Sequence, residues 1–290
     1  MGRFALANKN VLDSNRVQFV NSGSIKRVIE YIVNRQNEDG GYTFCQEAES
    51  NAQDTYYGLA VLRMLNVPFP NVEKTIRWLL ELDLDSTYSY YYVAKALTLC
   101  GKPLDYRFKE HVFSVINSRK YVGKEDVYAE VSSEFELTFM VLELAELLNV
   151  KCDGIKTEKW IFKFKNADGG FGARKHSNIN STCYALASLD LLKYNVKKLQ
   201  DTKIFLKECE KPYGGFTVIP TSVTPYMEHT YYGVTALNLV RESCRFPAQT
   251  VDFILRCQNA NGGFARSDSG ISTFENTFQA VSTLRKLGFL

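Results

Sequence analysis

The chain has 290 residues, 45% of them apolar and 23% charged, with a formal net charge of +3. That balance is ordinary for a globular protein and too weakly basic to point to nucleic acid. No stretch reaches the ~20 apolar residues that a bilayer-spanning helix needs, and seven scattered cysteines with no CxxC pair predict reduced thiols and a cytoplasmic address.

In chain order, the opening MGRFALANKN lacks the apolar core of a signal peptide. From about residue 20 onward the sequence repeats itself. Six stretches carry apolar residues at three- and four-residue spacing, which predicts helices with one buried face: 25–33, 72–82, 108–116, 157–164, 202–209 and 250–257. Four of them are followed by a glycine pair and an aromatic residue: Gly40-Gly41-Tyr42, Gly169-Gly170-Phe171, Gly214-Gly215-Phe216 and Gly262-Gly263-Phe264. Three of these pairs follow Asp or Asn, as turns with positive φ favour. The aromatic residue is expected to plug the space between neighbouring repeats.

A second run closes each repeat: 54–62, 89–97, 136–144, 181–189, 229–237 and 276–284. Each opens on a polar residue (Asp54, Ser89, Glu136, Ser181, His229, Asn276) eight positions before a leucine, at intervals of 35, 47, 45, 48 and 47 residues. Small and apolar residues occupy nearly every side of these runs, so they predict buried helices. Asp54-Thr55 and Asn276-Thr277 read as helix starts. Self-similarity at 20–50 residues marks a repeat architecture, here six helical hairpins at 20–62, 66–100, 104–148, 155–193, 200–240 and 248–290. An open stack would need polar caps at its ends, and the last repeat is as apolar as the rest. The prediction is therefore one all-α domain, an (α/α)6 toroid, with six polar side chains gathered at one end of a central cavity.

Glycine-pair turns followed by inner helices of this kind resemble the α/α-toroid family, which holds the β subunits of protein prenyltransferases and the class II terpene cyclases. Residues 169–186 and 214–234 resemble two stretches of the prenyltransferase β subunits. The resemblance implies an isoprenoid or isoprenyl diphosphate in the cavity, its transfer to a thiol, a catalytic zinc, and a helical partner subunit. Carried onto this chain, the zinc ligands are Cys183 and His229, with Ser181 where the family has Asp. Tyr184 matches the Tyr after the family's Cys. Lys175, beside Arg174, takes the place of the family's Arg, Asn178 that of its Lys, and Glu134 that of its diphosphate-binding His.

The cyclase branch uses a carboxylic acid to protonate an alkene. Its acid would be Asp85, Glu228 or Glu275. Asp54, Glu136, Glu228 and Glu275 are candidate catalytic carboxyls, because a carboxyl desolvated beside an apolar cavity gains the raised pKa that such chemistry needs. Tyr56, Tyr91, Tyr231 and Phe278, with Tyr57, Tyr92 and Tyr232, are candidates to line a pocket for at least ten carbons, since aromatic faces suit polyenes and cations. Arg174, Lys175 and His176 precede an inner helix whose N-terminus would help hold a diphosphate. Three readings stay open: a prenyltransferase-like protein, a cyclase-like enzyme, and a non-catalytic toroid that binds a lipid or a protein.

Overall fold

A computed structural model describes residues 23–118 and 131–290. The reading of the first ten residues and the start of the first repeat at residue 20 lie outside them. Among the described residues there are twelve α-helices and no strand. The outer helices are α1 (Ile25–Val33), α3 (Val72–Glu81), α5 (Tyr106–Ser118), α7 (Gly154–Phe162), α9 (Gln200–Cys209) and α11 (Pro247–Arg256). The inner ones are α2 (Ala52–Met64), α4 (Thr87–Leu99), α6 (Val131–Leu147), α8 (Ile179–Leu191), α10 (Met227–Leu239) and α12 (Phe274–Lys286).

The outer helices bury one stripe each, through pairs such as Val28 and Ile32, Phe108 and Val112, or Val251 and Ile254. Spacings of three and four residues place those side chains on one face. The inner helices bury consecutive residues, as in Leu59, Ala60, Val61 and Leu62, because they are flanked by outer helices on one side and by each other. Each inner helix packs on the next, and α12 packs back on α2, so the ring closes.

The glycine pairs explain the closure. Gly40, Gly169, Gly214 and Gly262 have φ of +96, +86, +101 and +93°, a region that side chains disfavour. A Cβ at each would also strike the start of the next outer helix: Lys74 and Thr75 at 2.6 Å, Asp201 at 2.3 Å, Gln249 at 2.1 Å and Arg27 at 2.1 Å respectively. The fourth clamp thus seats the last repeat on the first. Tyr31 Oη adds a bond to the Ser272 carbonyl (3.1 Å), and Gln258 Nε2 donates to the Ser24 carbonyl (3.0 Å).

The aromatic residue after each glycine pair is buried, and its backbone N–H donates to a threonine one position beyond the recurring polar residue. Tyr42 reaches Thr55 (2.9 Å), Phe171 Thr182 (2.9 Å), Phe216 Thr230 (3.1 Å) and Phe264 Thr277 (3.0 Å). Each bond satisfies a donor that burial would otherwise strand.

The helix starts lie three residues earlier than Asp54 and Asn276. Asn51, Ser86, Asn178 and Thr273 are the caps, and their side chains accept the amides of Asp54, Ser89, Ser181 and Asn276. In these four helices the recurring polar residue is therefore the third helical position, and the residue three before it supplies the capping oxygen.

Candidate functional site

At the centre of the ring lies a cavity of about 140 Å³. Its wall comes mainly from residues two and three positions beyond the recurring polar residue: Tyr56 and Tyr57, Tyr91 and Tyr92, Phe139, Tyr184, Tyr231 and Tyr232, and Phe278 and Gln279. Two positions along a helix turn a side chain by about 200°. A residue two or three positions on thus faces the axis while the polar residue faces its neighbours. One turn deeper stand Lys95 and Glu143. The sequence reading missed both, although each is a charged residue inside an otherwise apolar inner run, which is a legible signal.

The volume corrects the expectation of a pocket for ten carbons. It is close to the ~150 Å³ of an engineered cavity that takes benzene, so it holds about one isoprene unit. Tyrosine rings take up the rest, packed on one another with centroids 5.4 Å apart for Tyr56 and Tyr57, 5.0 Å for Tyr57 and Phe278, and 5.2 Å for Tyr184 and Tyr232.

Their hydroxyls form two polar tiers. In the upper one, Glu136 accepts from Tyr88 and from Tyr184, each at 2.9 Å, and Tyr184 is 2.7 Å from the Tyr232 hydroxyl. In the lower one, Glu143 pairs with Lys95 at 2.6 Å and accepts from Tyr91. Tyr57 meets Tyr92 at 3.2 Å. Burial pushes the pKa values of Tyr57, Tyr91, Tyr184 and Tyr232 well above the ordinary phenol range, so these groups stay protonated donors.

Of the four candidate carboxyls, only Glu136 lines the cavity. Asp54 is engaged in the turn, accepting from Asn51 Nδ2 (2.8 Å) and the Phe44 amide (3.2 Å), and burial raises its pKa. Glu228 is held by both arms of Arg266, at 3.0 and 2.7 Å. Glu275 accepts from Gln279, which lines the cavity. Burial first, then the charges of Glu136, Glu228 and Asp54, push its carboxyl up to about 7. The four carboxyls therefore share one end of the ring. Asp85 accepts from the Ser89 hydroxyl (3.3 Å) at the start of α4, away from the cavity lining.

Cys183 and His229 do not make the expected metal pair. The thiol is buried and pushed up to about 12 by that burial, with Lys286 as its charged neighbour. The imidazole binds Asn180 through Nδ1 (3.0 Å) and has Glu228 and Arg266 as its charged neighbours. Ser181 brings no charge. Among the described residues no group of three or more His, Cys, Asp or Glu side chains could hold a metal ion. With Ser181 in place of the family's Asp and no third His, Cys, Asp or Glu grouped with them among the described residues, these residues do not fit the family's zinc, which needs three protein ligands. Arg174 and Lys175 stand exposed on the turn at 173–175 before α8, outside the cavity lining.

This architecture matches known proteins. A family model, the prenyltransferase alpha-alpha toroid domain, covers residues 4–91 and 108–289. The chain belongs to that family. The β subunit of Arabidopsis thaliana geranylgeranyl transferase type-1 is 36% identical over 88 residues, 29% of this chain and 23% of that protein. The chain thus matches about a quarter of that relative's length. Among solved structures, Candida albicans protein geranylgeranyltransferase-I complexed with GGPP superposes with a TM-score of 0.75 at 18% identity, over 92% of each chain. The type II terpene cyclase MstE from Scytonema follows at 0.59 and 13% identity, over 95% of this chain and 99% of that one. At these identities the two structures share the fold.

Proposed function

We propose that this is a prenyltransferase-like protein that binds an isoprenoid or isoprenyl diphosphate in the central cavity of its toroid. One observation carries the reading: a closed ring of inner helices leaves a central space, and among the described residues seven tyrosines and two phenylalanines wall it. Aromatic faces attract polyene chains and partial positive charge. Transfer to a thiol has no support from Cys183 and His229, and no step is routed through zinc.

Isothermal titration with isoprenols and isoprenyl diphosphates of five to twenty carbons tests the reading. Saturable one-to-one binding, weakened when Tyr184→Trp fills the space, is the expected outcome. No saturable binding at any length overturns it.

A second reading, an acid-catalysed cyclase, has its own observation. Glu275, one of the candidate cyclase acids, holds its proton to about pH 7 beside the cavity-lining Gln279. Turnover of a polyprenyl substrate without added metal, lost in Glu275→Gln, would decide for it.

A helical partner subunit belongs to the same proposal. The Arabidopsis relative is itself a subunit, and Leu80, Tyr106, Phe113, Ile155 and Ile204 stand exposed on successive outer helices. Among the described residues no helix is long and apolar enough to cross a membrane. All seven cysteines are unpaired, which supports the cytoplasmic address.

A further inference from the structure

The lining of the central cavity is not electrically balanced. Among the described residues its ionisable groups, apart from phenols, are Lys95, Glu136 and Glu143. Lys95 and Glu143 neutralise each other at 2.6 Å. Among the described residues Glu136 is paired with no cation. Its oxygens accept from Tyr88 and Tyr184, bonds that stabilise a carboxylate without cancelling its charge. Glu275 lies within electrostatic reach of Glu136 on the same end of the ring. Among the described residues no arginine lines the cavity. Arg266 is engaged by Glu228, and Arg174 and Lys175 are exposed on the turn before α8.

The ring faces have the same sign preference. A phenol or phenyl face carries the negative end of its quadrupole and attracts ammonium groups within about 6 Å. Two of the protein's own ammonium groups already use these faces. Lys95 Nζ is 5.9 Å from the Tyr56 centroid and 5.8 Å from that of Tyr91, and Lys286 Nζ is 4.9 Å from that of Tyr231. The wall that suits a cation opposes a diphosphate, which would bring two or more negative charges to a surface with an unmatched carboxylate and no arginine.

We infer that the central cavity takes a ligand with a compact organic ammonium group, with Glu136 as its counter-ion and the tyrosine faces around it, in preference to the diphosphate of an isoprenyl diphosphate. The inference rests on the reading of this cavity as the isoprenoid site and names the head group that site selects. The free volume of about 140 Å³ suits a trimethylammonium group or an amine on one isoprene unit. Tyr88 and Tyr184 act as positioning residues, fixing the Glu136 carboxylate toward the space.

The test is calorimetric titration of the full chain at pH 7 with three ligands that share a 3-methylbut-2-enyl tail and differ in the head: the amine, the alcohol and the diphosphate. Tetramethylammonium, which the cavity's volume admits, is the fourth probe. The amine is expected to bind at least tenfold tighter than either other head, and Glu136→Gln to bring the amine down to the level of the alcohol. An alcohol or diphosphate that matches the amine overturns the inference while leaving the isoprenoid reading in place. So does a preference for the amine that survives Glu136→Gln.

If none of the three ligands binds, the isoprenoid reading falls only if no isoprenoid of longer chain binds either, and tetramethylammonium decides the charge question alone. Binding that Glu136→Gln removes upholds the inference, and no binding overturns it. Should Glu136→Gln fail to fold, Lys95→Met provides the opposite arm. Removing the cavity's own cation is expected to tighten the amine severalfold, and an unchanged or weaker amine overturns the inference.

Discussion

The rim of glycine clamps and the wall of the central cavity are made by the same inner helices under opposite rules. At the rim, one device recurs in four repeats: a left-handed glycine pressed on the next outer helix, a buried aromatic residue, and a threonine that takes its amide. At the wall, the positions two and three residues beyond the polar one vary. They are Tyr and Tyr in three repeats and Phe and Gln in another, with a single phenylalanine at Phe139 and a single tyrosine at Tyr184 in the remaining two. Repetition builds the ring, because each clamp must fit the same joint. Variation builds the site, because a ligand meets six helices at once and needs something different from each.

The largest break in that comparison is at a clamp. Gly262→Val forces a side chain into left-handed φ and onto the Arg27 carbonyl. Strain of about 1–3 kcal/mol and overpacking of about 1–3 kcal/mol add there. Gly101 has φ +73° with nothing within 4 Å of its would-be Cβ, so Gly101→Ala is expected to lose only about 1 kcal/mol. Urea denaturation of the two variants measures the gap, and equal losses would break the clamp argument.

The next effect is electrostatic and belongs to the cavity end. The Glu275 carboxyl rises from an ordinary 4.5 to about 7 in the folded protein. The folded state therefore keeps a proton that the unfolded chain releases between those values. Its contribution to stability is fully present below about 4.5 and is lost as pH rises through about 7. The loss is on the order of 2–3 kcal/mol. Glu275→Gln should flatten that part of the stability–pH curve, and an unchanged slope would place the titration elsewhere.

Smaller again is Thr277→Val, which strands the buried Phe264 amide and is expected to remove about 1–3 kcal/mol. A loss of similar size at Thr55, Thr182 and Thr230 would sharpen the case that the rim is one repeated joint. Tyr184→Phe takes a donor from Glu136 at the wall and is expected to cost about 1 kcal/mol in melting experiments. The smallest effect is at Cys183: elemental analysis should find the same metal content in Cys183→Ala as in the parent, and stoichiometric zinc lost in the variant would restore the metal reading.

Much of the ring was legible in the sequence. The recurring polar residue, the glycine pairs and the apolar runs specify helices, turns and their order, since period and positive φ are local properties. The apolar last repeat pointed to closure, and the contact of α12 with α2 and of Gly262 with Arg27 completes it. Helix starts were displaced by three residues, because both the cap and the third helical position carry capping-type side chains.

The site was legible only in part. The tyrosine runs marked the wall, whereas Lys95 and Glu143, charges inside otherwise apolar runs, were missed. The resemblance made Cys183 and His229 metal ligands, and only the tertiary structure shows what each of them meets. The imidazole is taken by Asn180 and the thiol faces a different set of neighbours. The size of the cavity and the charge left on Glu136 were likewise decided only in three dimensions. Both depend on how side chains from six helices, up to some two hundred residues apart in the chain, divide one space and pair their charges within it.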